Sequence, residues 1–121
     1  MKTLISLTLL VVMAASAVNA ACPYPKAPGM IPDGNTAKIE EMIAAQRAVK
    51  AFDAEISAYQ TCLESEFTVT MTAEINLTPE QRAERRKIVD QKMNAAVDDS
   101  QAAADRLNAQ IRVYKEKNKK T

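Results

Sequence analysis

The sequence predicts an all-α protein: an antiparallel two-helix hairpin of the coiled-coil type, with an extended proline-rich N-terminal arm held by a disulfide. Apolar residues recur at alternating spacings of three and four along two long segments, which is typical of helices that pack through one apolar seam. The 121 residues include only 2 glycines, so the chain lacks the residues for a series of tight β-turns. It has 2 cysteines, an even number that can form one disulfide.

The first 20 residues have the pattern of a secretory signal peptide. Lys2 supplies the positive charge, residues 4–12 form the apolar core, and residues 18–20 make a cleavage site of small residues. We therefore expect cleavage after Ala20, a periplasmic or secreted mature protein, and no stable membrane anchor once the leader is removed. Acylation of Cys22, as in a bacterial lipoprotein, is the alternative to a disulfide at this cysteine.

The segment after the leader is rich in proline and cannot be helical. Four prolines fall within residues 21–35, where they remove backbone donors and hold φ in the polyproline range. We therefore expect residues 21–35 to form an extended arm. Asp33 and Gly34 predict a turn at its end, and Asn35 or Thr36 is expected to cap the first helix with a side-chain oxygen.

The length of the arm predicts which part of the first helix it reaches. A helix from Thr36 to Cys62 would be about 39 Å long, and a polyproline-like chain from Cys22 to Thr36 would be about 43 Å long. An arm that runs back antiparallel along the helix therefore brings Cys22 beside Cys62. In an oxidising compartment this pair is expected to form a disulfide.

The first helix is predicted over residues 36–72, and its end is ambiguous. Residues 67–72 alternate apolar residues with threonine, which in isolation is the pattern of a β-strand. A single strand would have no partner in this chain, so we expect a fraying helix end instead. The apolar seam of this helix comprises Met42, Ala45, Val49, Phe52, Ile56, Tyr59 and Leu63.

The second helix is predicted over residues 79–117 and has the clearest start signal in the chain. Thr78 can cap the helix, Pro79 suits its first position, and Gln81 can complete a capping box. We therefore expect the second helix to begin at Pro79. Its predicted seam comprises Met93, Val97, Ser100, Ala104, Leu107, Ile111 and Tyr114, with Ile88 and Val89 ahead of it.

The short connection predicts antiparallel helices that pivot near Ile75. This pivot places the large Phe52 and Tyr59 opposite the small residues of the stretch 95–104, so that large side chains fill small gaps. Four apolar residues lie off the two seams: Ile39, Ile43, Val69 and Val113. We expect them to pack against the arm, and a homodimer surface is the alternative.

Residue types that support catalysis or metal binding are scarce. Histidine is absent, both cysteines are assigned to the disulfide, and no glycine-rich loop is present to bind phosphate. The acidic groups Asp98-Asp99 with Asp105, and Glu64 with Glu66, are more typical of solvated helix surface than of a cation site. We therefore predict no enzymatic activity, no metal and no cofactor.

The net charge argues against a general nucleic-acid binder. The chain has 16 basic and 15 acidic residues, and loss of Lys2 with the leader makes the two counts equal. Nucleic-acid binding would need a net basic face.

A long two-helix rod also offers much surface but little enclosed space. We therefore predict that the protein binds an envelope protein, through apolar residues beside the seam together with Arg82, Arg85 and Arg86.

Several short sequences extend over nearly the whole mature chain: Cys22-Pro23-Tyr24-Pro25, Ile31-Pro32-Asp33-Gly34, Ala45-Gln46 with Ala48-Val49-Lys50, Cys62-Leu63-Glu64, and Asn94-Ala95-Ala96-Val97-Asp98 with Ala104-Asp105-Arg106. Together they resemble a family of small, uncharacterised secreted proteins of Gram-negative bacteria. The resemblance implies export and a helical fold, and it carries no activity.

A second, narrower resemblance rests on Leu77-Thr78 and Gln81. This pattern is similar to a motif that periplasmic chaperones of the Spy and CpxP type carry twice on a curved four-helix cradle, whereas this chain carries it once. The resemblance implies an alternative function, which is stress-linked binding of unfolded clients or of a sensor domain.

Overall fold

The computed structural model describes residues 22–119, so the predicted signal peptide and its cleavage site lie outside the described residues. Two helices follow each other, α1 (Ile39–Ala73) and α2 (Pro79–Asn118), and no strand occurs between residues 22 and 119. Neither described helix has a stretch that is long and apolar enough to cross a membrane. The predicted all-α fold is confirmed.

The two helices are antiparallel. Asp53 near the middle of α1 accepts a hydrogen bond from Ser100 of α2, and Glu64 further along α1 pairs with Arg86, which comes earlier in α2. Residue numbers therefore rise along α1 while those of its partners fall along α2. This register confirms the predicted hairpin.

The arm ends in a turn built on Asp33. The backbone carbonyl of Asp33 accepts the N–H groups of Thr36 and Ala37 at 3.1 and 2.8 Å. Its carboxylate accepts the N–H of Asn35 at 2.9 Å, which is the bond of an Asx turn. Asn35 and Thr36 are therefore turn residues, and the prediction that one of them caps the first helix is wrong.

Helix α1 begins at Ile39 instead, with Lys38 as the residue before it. The Glu41 carboxylate accepts the backbone N–H of Lys38 at 2.6 Å, while a lysine side chain has no acceptor with which to complete the reciprocal half of a capping box. Acidic residues in the first turn also stabilise the helix through its dipole, and α1 has Glu40 and Glu41 there.

The ambiguous stretch at residues 67–72 is helical, as predicted, and α1 continues to Ala73. The Thr72 hydroxyl donates to the Thr68 carbonyl oxygen one turn earlier, at 2.8 Å. Such a bond lets threonine satisfy its hydroxyl within a helix. The strand-like alternation has no structural consequence, because no second strand is available to pair with it in the described chain.

The start of α2 is capped from both sides. The Thr78 hydroxyl accepts the backbone N–H of Gln81 at 3.2 Å, and the Gln81 side-chain oxygen accepts the backbone N–H of Thr78 at 2.9 Å. Pro79 occupies the first helical position, where its missing N–H is of no consequence. Local side-chain chemistry alone therefore defines this helix start.

We expect Thr78→Ala to lower the free energy of unfolding by about 1 kcal/mol, because the Gln81 N–H loses its acceptor. Urea unfolding of the mature protein measures this as a lower midpoint at an unchanged slope. Thr78→Ser is the matched control, since serine keeps the hydroxyl oxygen. If alanine and serine give the same midpoint, the cap does not contribute to stability.

Two clusters form the core between the helices. In the first, which we call the Phe52 cluster, Phe52 and Ile56 of α1 pack against Ala96 and Ala103 of α2, with Tyr59 against them. The second, which we call the Leu107 cluster, comprises Ala45, Val49 and Leu107, with Ile31, Ala104 and Ile111 packed against it. Large residues of α1 thus meet small residues of α2, as the register predicted.

The buried face of α2 is rotated from the predicted seam. Ser100 and Leu107 are buried as expected, but Val97 is 43% exposed and Ala96 is fully buried in its place. The rotation has a steric cause, because alanine lets the helix backbones approach closely where Phe52 and Ile56 project. A β-branched valine at the interface would hold the helices apart.

The four off-seam residues differ in how far they are exposed. Ile39, Ile43 and Val69 are exposed in the monomer, so the prediction that they pack against the arm is wrong. Val113 is partly buried, and its Cβ lies 3.0 Å from the position that a Cβ at Gly34 would take. The arm therefore reaches only the last of the four residues.

Candidate functional site

The arm lies along both helices. At one end Cys22 is bonded to Cys62 of α1, with their Cα atoms 5.8 Å apart, which confirms the predicted disulfide. At the other end the backbone N–H of Gly34 donates to the side-chain oxygen of Gln110 in α2, at 2.9 Å. The arm thus runs antiparallel to α1, as its length predicted.

Gly34 is required by close approach to α2. A Cβ at this position would stand 2.7 Å from the backbone nitrogen of Tyr114 and closer still to the carbonyl oxygen of Gln110. Neither backbone atom can move without distorting the helix. The described glycines have no positive φ, so a left-handed backbone conformation is not the reason for this glycine. The reason is the lack of space for a side chain beside the α2 backbone.

Two arm side chains hold the middle of the arm in place. Ile31 packs against the Leu107 cluster, which contains residues of both helices. The Tyr24 ring meets the Tyr59 ring edge-on, with centroids 5.1 Å apart, and its hydroxyl donates to the Asp99 carboxylate of α2. The side of the hairpin between Cys22 and Gly34 is therefore occupied by the chain's own extended segment.

The hydrogen bond to Asp99 raises the pKa of Tyr24 from 10.0 to about 12, because an ionised phenolate would lose this bond and lie beside a carboxylate. Because folding raises the pKa of Tyr24, the folded state is stabilised as long as the phenol is protonated. Its contribution is fully present below pH 10.0 and is lost as the pH rises towards about 12.

We expect Asp99→Ala to return the pKa of Tyr24 towards 10.0, its ordinary value. The measurement is an NMR titration of the tyrosine ring carbons. Asp98→Ala is the matched control, because it removes the adjacent carboxylate, for which no contact with Tyr24 is found in the described chain. Equal titration of Tyr24 in the two variants would contradict the contact.

Arg86 joins the two helices near the hairpin tip. Its guanidinium forms a two-point ion pair with Glu64 at 2.9 and 2.5 Å. It also donates two hydrogen bonds to Asp90, at 2.9 and 2.6 Å. The same group lies 5.0 Å from the centre of the Phe67 ring. Pairing with Glu64 and Asp90 raises the pKa of Arg86, and the hydrogen bonds from Arg86 lower the pKa of Glu64. Arg86 is therefore committed to the hairpin itself.

Arg82 and Arg85 also contact the end of α1. Arg85 forms a salt bridge of 2.5 Å with the Glu74 carboxylate, and Arg82 donates to the Glu74 carbonyl oxygen at 3.4 Å. The structure thus brings the three predicted arginines together and gives each a partner within the chain. Their role in binding another protein stays a prediction.

A groove near the hairpin tip is not covered by the arm. It encloses about 160 Å³, and we call it the tip groove. Its apolar lining is formed by Leu63, Phe67 and Met71 of α1 with Ile88 and Val89 of α2. Ile88 is 45% exposed although it faces this groove.

Further apolar surface lies around the same end of the hairpin. Val69, on the last turns of α1, is 68% exposed, and Ile75, in the connection, is 76% exposed. Ile39 and Ile43, at the opposite end of the described rod, are exposed as well, so exposed apolar side chains are not confined to the tip. The tip differs in having a groove where Ile88 lies together with other apolar residues of both helices. Apolar side chains grouped in this way are typical of interaction sites.

The groove on the other side of the hairpin is polar. Its lining includes Lys50, Asp53, Ser57, Gln60 and Gln101, with Val97 beside them. Within it the Ser100 hydroxyl donates to the Asp53 carboxylate at 2.7 Å. The two grooves therefore differ in residue type: six of the nine residues that line this groove are polar, against four of nine in the tip groove, although apolar atoms predominate on the surface of both.

Two of the acidic residues in the predicted solvated groups have partners within the chain. Asp99 accepts the bond from Tyr24, and Glu64 pairs with Arg86. Among the described residues, no group of three or more histidine, cysteine, aspartate or glutamate side chains is placed to hold a metal ion.

Helical periodicity does not predict the tip groove. It places Leu63 on the seam, and Phe67 and Met71 lie in the stretch predicted to fray at the helix end. The adjacent apolar pair Ile88 and Val89 is the signal that could have revealed it, because a single seam needs only one residue at such a position.

No family model, no curated protein and no solved structure matches this chain. The resemblance to small secreted proteins of Gram-negative bacteria stays a prediction. The function must therefore be argued from the geometry.

Proposed function

We propose that this is an exported helical protein of the bacterial envelope that acts by binding another protein and has no catalytic turnover of its own. The observation that carries the proposal is the tip groove, in which apolar side chains of both helices lie together and Ile88 is 45% exposed. Exposed apolar side chains gain free energy when a partner removes them from water.

The contrast along the rod supports this location. Away from the tip, the arm covers one side of the hairpin through Tyr24 and Ile31, and the opposite groove is lined mainly by polar side chains. Near the tip the arm does not cover the groove that Ile88 lines. A protein that needed only to be stable would gain by covering this surface as well.

Export is supported by two independent features. The leader pattern of the first 20 residues is typical of secretion, and the disulfide between Cys22 and Cys62 is typical of an oxidising compartment. Because Cys22 is engaged in the disulfide, we favour a periplasmic or secreted protein over a lipoprotein. Mass analysis of the mature N-terminus tests this, since a diacylglyceryl group on Cys22 would contradict it.

A crosslinking pull-down from the native envelope tests the proposed function. We expect one stoichiometric protein partner whose capture is saturable. Capture of many proteins, together with suppression of aggregation of an unfolded client, would favour the alternative of a Spy-like or CpxP-like chaperone. Absence of any captured protein would contradict both.

The predicted contribution of Arg82, Arg85 and Arg86 needs a stability control. Changing all three to glutamine removes the ion pairs with Glu64 and Glu74, so the variant loses contacts of the tip as well as charge. Partner affinity should therefore be compared at a temperature where thermal unfolding shows the variant to be folded. Unchanged affinity would remove the arginines from the binding surface and leave the apolar tip.

A further inference from the structure

The tip groove continues the path of the arm, and its shape suits one kind of occupant. We propose that the tip groove binds an extended segment of a partner protein, about four residues long, that inserts one leucine- or phenylalanine-sized side chain and lies end to end with the arm. This inference rests on the proposed function and specifies the chemistry of the partner.

Helical register places the tip groove on the side of the hairpin that the arm covers. On α1, Glu66 lies seven residues after Tyr59, which touches Tyr24; on α2, Lys92 lies seven residues before Asp99, which bonds Tyr24. Seven residues are two helical turns, so each pair shares a face. Glu66 and Lys92 both line the tip groove.

The end of the arm lies at the edge of this groove. The Cys22 sulfur is 3.3 Å from a carboxylate oxygen of Glu66, which lines the groove. The extended path from Gly34 to Cys22 therefore leads directly to the tip groove. The interface between arm and helices is thus continuous with the proposed interface.

The dimensions limit what the groove can hold. Along α1 it extends from Leu63 to Met71, which is about 12 Å of helix, and an extended peptide covers that distance with about four residues. Its volume is about 160 Å³. An apolar cavity of about 150 Å³ holds a benzene molecule, so there is room for one large apolar side chain.

The walls of the groove favour an extended segment over a strand that needs backbone pairing. Both walls are helices, whose backbone N–H and C=O groups are bonded within each helix and offer no ladder to a peptide. A polyproline-like or extended chain has a solvated backbone and needs no such partners. The arm docks on these helices in this way, through the side chains of Tyr24 and Ile31.

The charged residues of the groove do not select for a particular net charge on the bound segment. Arg85 is paired with Glu74, and the opposite charges of Lys92 and Glu66 lie on different walls. Binding should therefore depend mainly on apolar burial and only weakly on salt concentration.

The chain offers a matched pair of variants for the test. Ile88 and Val97 lie on the same helix and are 45% and 43% exposed, but Ile88 lines the tip groove and Val97 lines the polar groove. The probe is reduced and carboxymethylated α-lactalbumin, a permanently unfolded chain that supplies extended segments of many sequences. Its binding, followed by fluorescence anisotropy, reports on the groove and not on whether the natural partner is one protein or many. We expect Ile88→Glu to weaken binding at least tenfold and Val97→Glu to change it less than twofold.

A second measurement uses the unmodified mature protein. On titration with the same probe, the methyl NMR signals of Ile88 should shift, while those of Val97 should not. Equal sensitivity of the two positions, in either measurement, would overturn the proposal.

Two further outcomes would also overturn it. If sedimentation equilibrium shows a dimer that Ile88→Glu converts to a monomer, a second copy of the chain occupies the groove. If the probe does not bind at all, the groove does not accept extended segments. The proposed function would survive either result as long as the envelope pull-down yields a partner, so the two failures are distinguishable.

Discussion

Replacement of both cysteines, Cys22→Ser together with Cys62→Ser, is expected to lower the free energy of unfolding by about 4 kcal/mol. The disulfide closes a loop with a sequence separation of 40 residues, and a loop of this size restricts the unfolded chain by about that amount in the chain-entropy account. The effect is a large part of the stability expected for a single domain of this size. Urea unfolding of the mature protein measures it.

The disulfide also holds the arm against the helices. Without it, Tyr24 and Ile31 must hold the arm by packing and one hydrogen bond. Wild-type protein treated with a reductant is the control, and it should unfold at the same midpoint as the double variant. A loss of less than about 1 kcal/mol in both samples would mean that the folded state gains nearly as much freedom as the unfolded chain, as it would if the arm left the helices.

Phe52→Ala is expected to lower the free energy of unfolding by about 3 kcal/mol or more. The Phe52 side chain is 3% exposed and packs against Ala96 and Ala103, which are small and cannot extend to fill the space left behind. Loss of a buried phenylalanine costs both the transfer free energy of the ring and the free energy of the cavity. The higher helix propensity of alanine offsets only a few tenths of a kcal/mol.

Val69→Ala is the matched control for this truncation, because it also shortens an apolar side chain within α1 but at a position that is 68% exposed. It should change the free energy of unfolding by no more than about 0.5 kcal/mol. Glu41→Ala would be a poorer control, since Glu41 accepts the backbone N–H of Lys38 at the helix start. Similar losses for Phe52→Ala and Val69→Ala would mean that the buried face of α1 is assigned wrongly.

The candidate site could be predicted only in part. The sequence predicted the arginine cluster near the tip, because the helix start at Thr78 and the short connection fix which residues lie there. It did not predict that Arg86 would pair with Glu64, since the two are 22 residues apart and meet only through the register of the helices. It also did not predict the tip groove, which depends on where the arm ends and on how closely the helices approach.

The sequence by itself determined the elements that depend on local chemistry and chain length. Helical periodicity predicted both helices, Thr78 and Gln81 predicted the start of α2, and the equal lengths of arm and helix predicted the disulfide of Cys22 with Cys62. Each of these follows from residues close in sequence or from a distance that the covalent chain sets.

Only the tertiary structure decided the rotation of α2 about its axis and the position of the start of α1. Periodicity allowed either Val97 or its neighbour Ala96 to face α1, and the bulk of Phe52 and Ile56 selected the alanine. The role of Gly34 was decided in the same way, by the nearness of the α2 backbone. These features depend on the distance between elements far apart in sequence, and steric fit between their side chains and backbones sets that distance.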